Sequence, residues 1–167
     1  MKRAGHFCIF AFLIAASLFA GSARAAEDKK PQKISASTIQ ILVIQSDEVK
    51  LPAEFQMALY ERVIEELQKT AKFEHVYRDG DQAAANAKDL ITLRSNVTGF
   101  KKGSERARQV TTVAGATSIT IHCQFVDKSG KVQLERDITG KVRFFGGNLR
   151  ATYDFAKKVA KEVQESF

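Results

Sequence analysis

From Ser118 to Phe125 the chain alternates without a break: Ile119, Ile121, Cys123 and Phe125 are apolar, and Ser118, Thr120, His122 and Gln124 are polar. Successive side chains of a strand point to opposite faces, so such a run is satisfied only in a sheet that is dry on one side and wet on the other. Two further runs share the pattern. Ile91, Leu93, Ser95 and Val97 oppose Thr92, Arg94, Asn96 and Thr98. Val132, Leu134, Ile138, Val142 and Phe144 oppose Gln133, Glu135, Asp137, Lys141 and Arg143. Asp127-Lys128-Ser129-Gly130 reads as the hairpin turn between the last two.

The dry face of such a sheet needs a cover. After Pro52, Phe55, Ala58, Leu59, Val63 and Leu67 recur at three- and four-residue steps, with Glu54, Glu61, Arg62, Glu65, Glu66 and Lys69 on the other side, which predicts an amphipathic helix of about five turns. Ala151, Phe155, Ala156, Val159, Ala160 and Val163 form a second apolar stripe, with Asn148 as its expected N-cap. Upstream, Ile39 and Ile41 to Ile44 have apolar residues on both faces, as in a strand near the middle of a sheet. Phe73 to Tyr77 suggest a short strand, Arg78 to Asp81 a turn, and Ala83 to Ala85 a short helix. The expected fold is α+β: a two-layer sandwich with a mainly antiparallel sheet of about five strands, two principal helices on one face, and order β-α-β-(α)-β-β-β-α.

The first 25 residues read differently. Lys2 and Arg3 precede an uncharged apolar run from Phe7 to Ala20, and Ala23 and Ala25 stand where a signal peptidase reads small residues. Residues 1–25 are therefore expected to be a cleavable signal peptide, because the apolar run is shorter than the roughly 20 residues needed to span a bilayer. No Cys follows at a cleavage point, so the product is expected to be exported, periplasmic or extracellular, and not lipid-anchored. Residues 26–37 read as a flexible leader and 38–167 as one domain. The whole chain has 167 residues and net charge +7. Without the signal it would keep 142 residues, net charge +4 and a single thiol, Cys123, so no internal disulfide is expected.

Catalytic chemistry finds few carriers. His122 and Cys123 are neighbours on a strand, so they face opposite sides and cannot act as base and nucleophile for one another. Cys123 shares the register of Ile121 and Phe125 and reads as a small buried hydrophobe. Glu65 and Glu66 read as a solvated helix face, and Asn96-Val97-Thr98 is a glycosylation sequon inside a strand. CxxC, HxxxH, EF-hand and phosphate-loop patterns are missing from the sequence, so no metal or cofactor is expected. Gly146-Gly147-Asn148 with Arg150 reads as a turn and cap before it reads as an anion cradle.

The basic residues are more suggestive. Lys101, Lys102, Arg106 and Arg108 crowd one connection with only Glu105 to offset them, and Lys141 and Arg143 sit on a wet strand face. Such clusters ordinarily keep a protein soluble; as a site, this one would meet an acidic envelope protein or an anionic envelope surface before any nucleic acid. Phe100 and Phe145 are the outward aromatic candidates, and they are not interleaved with the basic residues as a single-strand binder requires. The expected function is a non-enzymatic binding or assembly module for another envelope component. The alternatives are an electrostatic binder of anionic lipid or glycan through residues 101–108, and a carboxylate-dependent hydrolase. No transmembrane span is expected after signal removal, and the oligomeric state is left open.

The segments Gly103-Ser104-Glu105-Arg106-Ala107-Arg108, Ala114-Gly115-Ala116, Val126 to Val132 and Thr139-Gly140-Lys141-Val142 resemble a bacterial envelope family of unknown function, number 4410 in the domain-of-unknown-function series. The strand from Thr38, Leu51-Pro52 and the helix with Phe55, Leu59 and Leu67 fit the same pattern, so the resemblance runs from about Thr38 to Glu165. It implies a small secreted or lipid-anchored protein and transfers no catalytic residue. This chain departs from the pattern in lacking the lipid-attachment Cys and in having less Gly after Arg108.

Overall fold

The computed structural model describes residues 33–104, 106, 107, 115–142 and 149–167. The signal-peptide reading, with Ala23 and Ala25, therefore lies outside the described residues, as do Arg108, Arg143, Phe145 and the proposed cap Asn148. Among the described residues eight elements follow in the expected order: β1 (Thr38–Ile41), α1 (Ala53–Lys69), β2 (His75–Arg78), α2 (Ala83–Asn86), β3 (Leu90–Lys101), β4 (Thr117–Asp127), β5 (Val132–Val142) and α3 (Arg150–Ser166).

They build one five-stranded sheet of order β2-β1-β3-β4-β5. The long strands β3, β4 and β5 pair antiparallel, whereas β1 pairs parallel with both β2 and β3. The parallel β1–β2 pair follows from the crossover through α1, and β3 lies parallel to β1 because residues 79–89, with α2, carry the chain back from β2 across to the other side of β1. β1 is inside the sheet as its two-faced apolar run requires, but it ends at Ile41 rather than Ile44. The chain then follows β3 irregularly, with Leu42 N donating to Leu93 O (3.1 Å) and Gln45 N to Ser95 O (2.9 Å).

The core lies between this sheet and the two long helices. Ile39, Leu93, Ile119, Ile121 and Phe125 of the sheet and Leu59, Leu67, Phe155 and Val159 of the helices are at most 1% exposed. Two details correct the sequence reading. Glu66 is buried on α1, where Lys69 Nζ holds its carboxylate at 2.6 Å, while Glu65 stays at the surface paired with Arg62. Phe100, expected to point outward, instead packs edge-on against Phe55 with ring centroids 5.1 Å apart. In the segment read as a leader, Ile34 and Ala36 pack on the core and Ile34 N donates to Ser166 O at 2.8 Å.

The reversal at Phe100 comes from a β-bulge. The register passes from Val97↔Ile121 to Gly99↔Thr120, leaving Thr98 as the extra residue. One extra residue exchanges the faces of everything after it. Phe100 thus joins Ile119 on the core side, and Lys101 moves to the open face beside Ser118.

Candidate functional site

The open face, opposite α1 and α3, is organised in rows across β3, β4 and β5. Arg94, Gln124 and Glu135 form one row, Asn96, His122 and Asp137 the next, then Gly99, Thr120 and Thr139, and finally Lys101, Ser118 and Lys141. With strands about 4.8 Å apart, the backbones of Lys101 and Lys141 lie about 10 Å from one another across Ser118. Two residues 40 positions apart in sequence are thereby brought into one row.

The lysine row is held from both sides. Asp154 of α3 accepts the backbone N–H of Lys141 at 2.8 Å, and Lys158 donates to Thr139 O at 2.7 Å, so α3 side chains close the free edge of β5. At the end of β3, Gly103 N donates to Thr117 Oγ1 at 3.1 Å. A Cβ at Gly103 would overlap Gly115 O, so glycine alone permits this close approach. Ser104 Oγ accepts Ala107 N at 3.3 Å and starts the turn carrying Arg106. Lys101, Lys102, Arg106 and Lys141 are exposed, and none forms an ion pair among the described residues. Lys101, Lys102, Arg106 and Lys141 therefore share one end of the sheet.

The middle of the face carries the opposite character. His122 Nδ1 lies 2.8 Å from Asp137 Oδ1 and Nε2 lies 2.8 Å from Glu135 Oε1, while Gln124 donates to the same Glu135 oxygen at 2.7 Å. Both ring nitrogens can donate to carboxylates only when the imidazole is protonated. The Asp137 hydrogen bond is the largest influence on the His122 pKa and raises it; desolvation opposes it, and the hydrogen bond to Glu135 adds to the rise. A raised folded pKa stabilises the fold fully below the unfolded value near 6.5, and that contribution fades as pH rises through the folded value. Wild-type protein is therefore expected to lose a small increment, under about 1 kcal/mol for so exposed a cluster, as pH rises from about 6.5 into the alkaline range. Urea unfolding across that range checks it: His122→Gln should flatten the dependence, and an unchanged slope would contradict the assignment.

Cys123 behaves as the sequence predicts. Its thiol is fully buried, 3.8 Å from Ser95 Oγ, and burial pushes its pKa up to about 12. Such a thiol is neither a thiolate nucleophile nor a metal ligand at neutral pH. The hairpin is also as expected: Asp127 Oδ1 accepts Ser129 N, Ser129 Oγ and Lys131 N, its Oδ2 accepts Gln133 Nε2, and Gly130 takes φ +85°. These donors, Ser129 first, hold the Asp127 carboxyl at about 2.

No group of three or more His, Cys, Asp or Glu among the described residues is placed to hold a metal ion. No described helix is long and apolar enough to cross a membrane.

Fold and face together define an α+β domain whose helices cover one side of a mixed sheet and whose other side presents ordered polar rows. The chain belongs to the family described as Domain of unknown function (DUF4410), whose model matches residues 25–136. A comparison with curated proteins finds no match. Among solved structures, the PelC dodecamer from Paraburkholderia phytofirmans is similar with TM-score 0.60 and 13% identity, over 81% of this chain and 91% of that one. The hypothetical protein CT253 from Chlamydia trachomatis matches with TM-score 0.46 and 10% identity, over 77% of this chain and 94% of that one. At such identities the PelC likeness concerns the fold.

Proposed function

We propose that the protein is an exported, non-catalytic envelope module that assembles with an acidic protein surface through Lys101, Lys102, Arg106 and Lys141. The observation that carries this reading is the bulge at Thr98, which places Lys101 on the open face in one row with Ser118 and Lys141. Exposed cations held on a rigid sheet lose less conformational freedom on binding than cations on a loose loop, and they guide an acidic partner by charge. PelC, which shares the fold, is solved as a dodecamer, so a second copy of this chain is one partner to test.

Capture from detergent-solubilised envelope on the immobilised mature domain tests the reading. A specific protein is expected to be retained by wild type and lost with K101E/K141E or in about 0.5 M salt, where the Debye length falls to a few ångströms. Retention that ignores both the substitutions and the salt would overturn the assignment. Binding to vesicles containing anionic lipid, with no protein captured, would transfer the same row to the lipid alternative.

A further inference from the structure

A second cationic feature lies at the other end of the strands, in a place no sequence pattern marks. A cleft of about 680 Å³ opens between the segment 33–36, the start of β3 and the β4–β5 hairpin. Its lining carries Lys33, Lys88, Lys128 and Lys131 against Asp89 and Asp127, for a net charge of +2. The volume is in the usual range for small-molecule sites, roughly 300–1,000 Å³.

Each wall is fixed by bonds that do not use the side chains of Lys33, Lys88 or Lys131. Ile34 N donates to Ser166 O; Thr38 N and Oγ1 both donate to Asp89 O at 3.3 Å; and the Asp127 carboxylate is occupied by the hairpin donors described above. Lys128 is committed as well, since its Nζ donates to Ala85 O at 3.1 Å and Ala87 O at 2.7 Å and ties α2 to the hairpin. Lys33, Lys88 and Lys131 remain exposed on the rim, without an ion pair among the described residues. Between them Ile34 and Ala36 are half-buried and leave some apolar surface in the cleft, while Leu90 and Ile91 behind them are buried.

We propose that this cleft binds a phosphate monoester carried on an apolar chain. The phosphate lies among Lys33, Lys88 and Lys131, and the chain lies over Ile34 and Ala36. Lysine ammonium groups suit a phosphate as point charges with rotatable donors, and the half-buried Ile34 and Ala36 give the attached chain a surface to cover. The site is separate from the Lys101 row, so its test neither relies on nor decides the assembly reading.

The test is titration of amide resonances of the mature domain with dihexanoyl phosphatidate, inorganic phosphate and neutral dihexanoylglycerol. Phosphatidate is expected to move amides of residues 33–36, 88–91 and 127–133 saturably, at least tenfold more tightly than either control. K88E/K131E is expected to weaken it at least tenfold, while Lys50→Glu, an exposed charge change at the opposite end, leaves it unchanged. The amide spectrum of each variant shows whether it is folded. Phosphatidate binding no more tightly than inorganic phosphate, or indifferent to K88E/K131E in a folded variant, would overturn the proposal.

Discussion

Gly140→Ala is expected to destabilise the domain by about 3 kcal/mol, the upper part of the range for overpacking a tight contact. A Cβ at Gly140 would overlap the carbonyl oxygen of Ala151 and stand 2.7 Å from Phe155 Cβ and 2.9 Å from Phe155 N. Two of these three atoms are helix backbone, so α3 must shift as a body to make room. The same movement would disturb Asp154 and Lys158, which close the β5 edge beside Lys141. Gly99→Ala is the natural control, because its new Cβ meets nothing nearer than Thr120 Cβ at 3.7 Å and φ is not positive there. Denaturant unfolding should show the midpoint falling sharply for Gly140→Ala and little for Gly99→Ala. Equal midpoints would mean that α3 does not press on β5 at this point.

Phe125→Ala is expected to cost about 3–5 kcal/mol, the usual range for deleting a buried aromatic ring. Phe125 is 0% exposed, pairs across the sheet with Leu93 and Leu134, and lies 5.7 Å from the Phe167 ring, which itself packs on Phe73. The cavity would open where sheet, α3 and the segment before β2 meet, so little of the surroundings can collapse into it. Met57→Ala, at a side chain 53% exposed, should change stability by well under 1 kcal/mol. The two midpoints, measured at constant denaturant dependence, check the assignment of core and surface together.

Much of the fold is legible in the sequence because its signals are local and redundant. The alternation through β4 holds from Thr117 to Phe125, and the stripes of α1 and α3 each carry several apolar residues that one exception cannot overturn. Phe100 was not legible, because the bulge that turns it inward is set by pairing with β4 and has no residue signature beyond Gly99. Glu66 misled for another reason: its neighbour Glu65 is exposed, and only the packing of α1 against α3 decides which of the two is covered.

The candidate site divides in the same way. The cluster around residues 101–106 is visible as a run of charge, and Lys141 as a wet strand position. Their union across Ser118 depends on the register after the bulge, which no periodicity reports. The lysine cleft was missed entirely, since Lys33, Lys88 and Lys131 come from three separate segments and each looks like an ordinary surface charge. His122 was placed correctly on the open face, but its carboxylate partners Asp137 and Glu135 appear only once β5 is set beside β4.

The proposed meeting place with another protein is the end of the sheet bearing Lys101, Ser118 and Lys141. Photocrosslinking in intact cells tests it most directly, with a photoreactive amino acid at position 118 and, as a control, at Lys72 toward the opposite end. A discrete protein adduct is expected from position 118, either a second copy of the chain or one other protein, and it should disappear when K101E/K141E is added. An adduct from Lys72 with none from position 118, or one from position 118 that survives K101E/K141E, would contradict it.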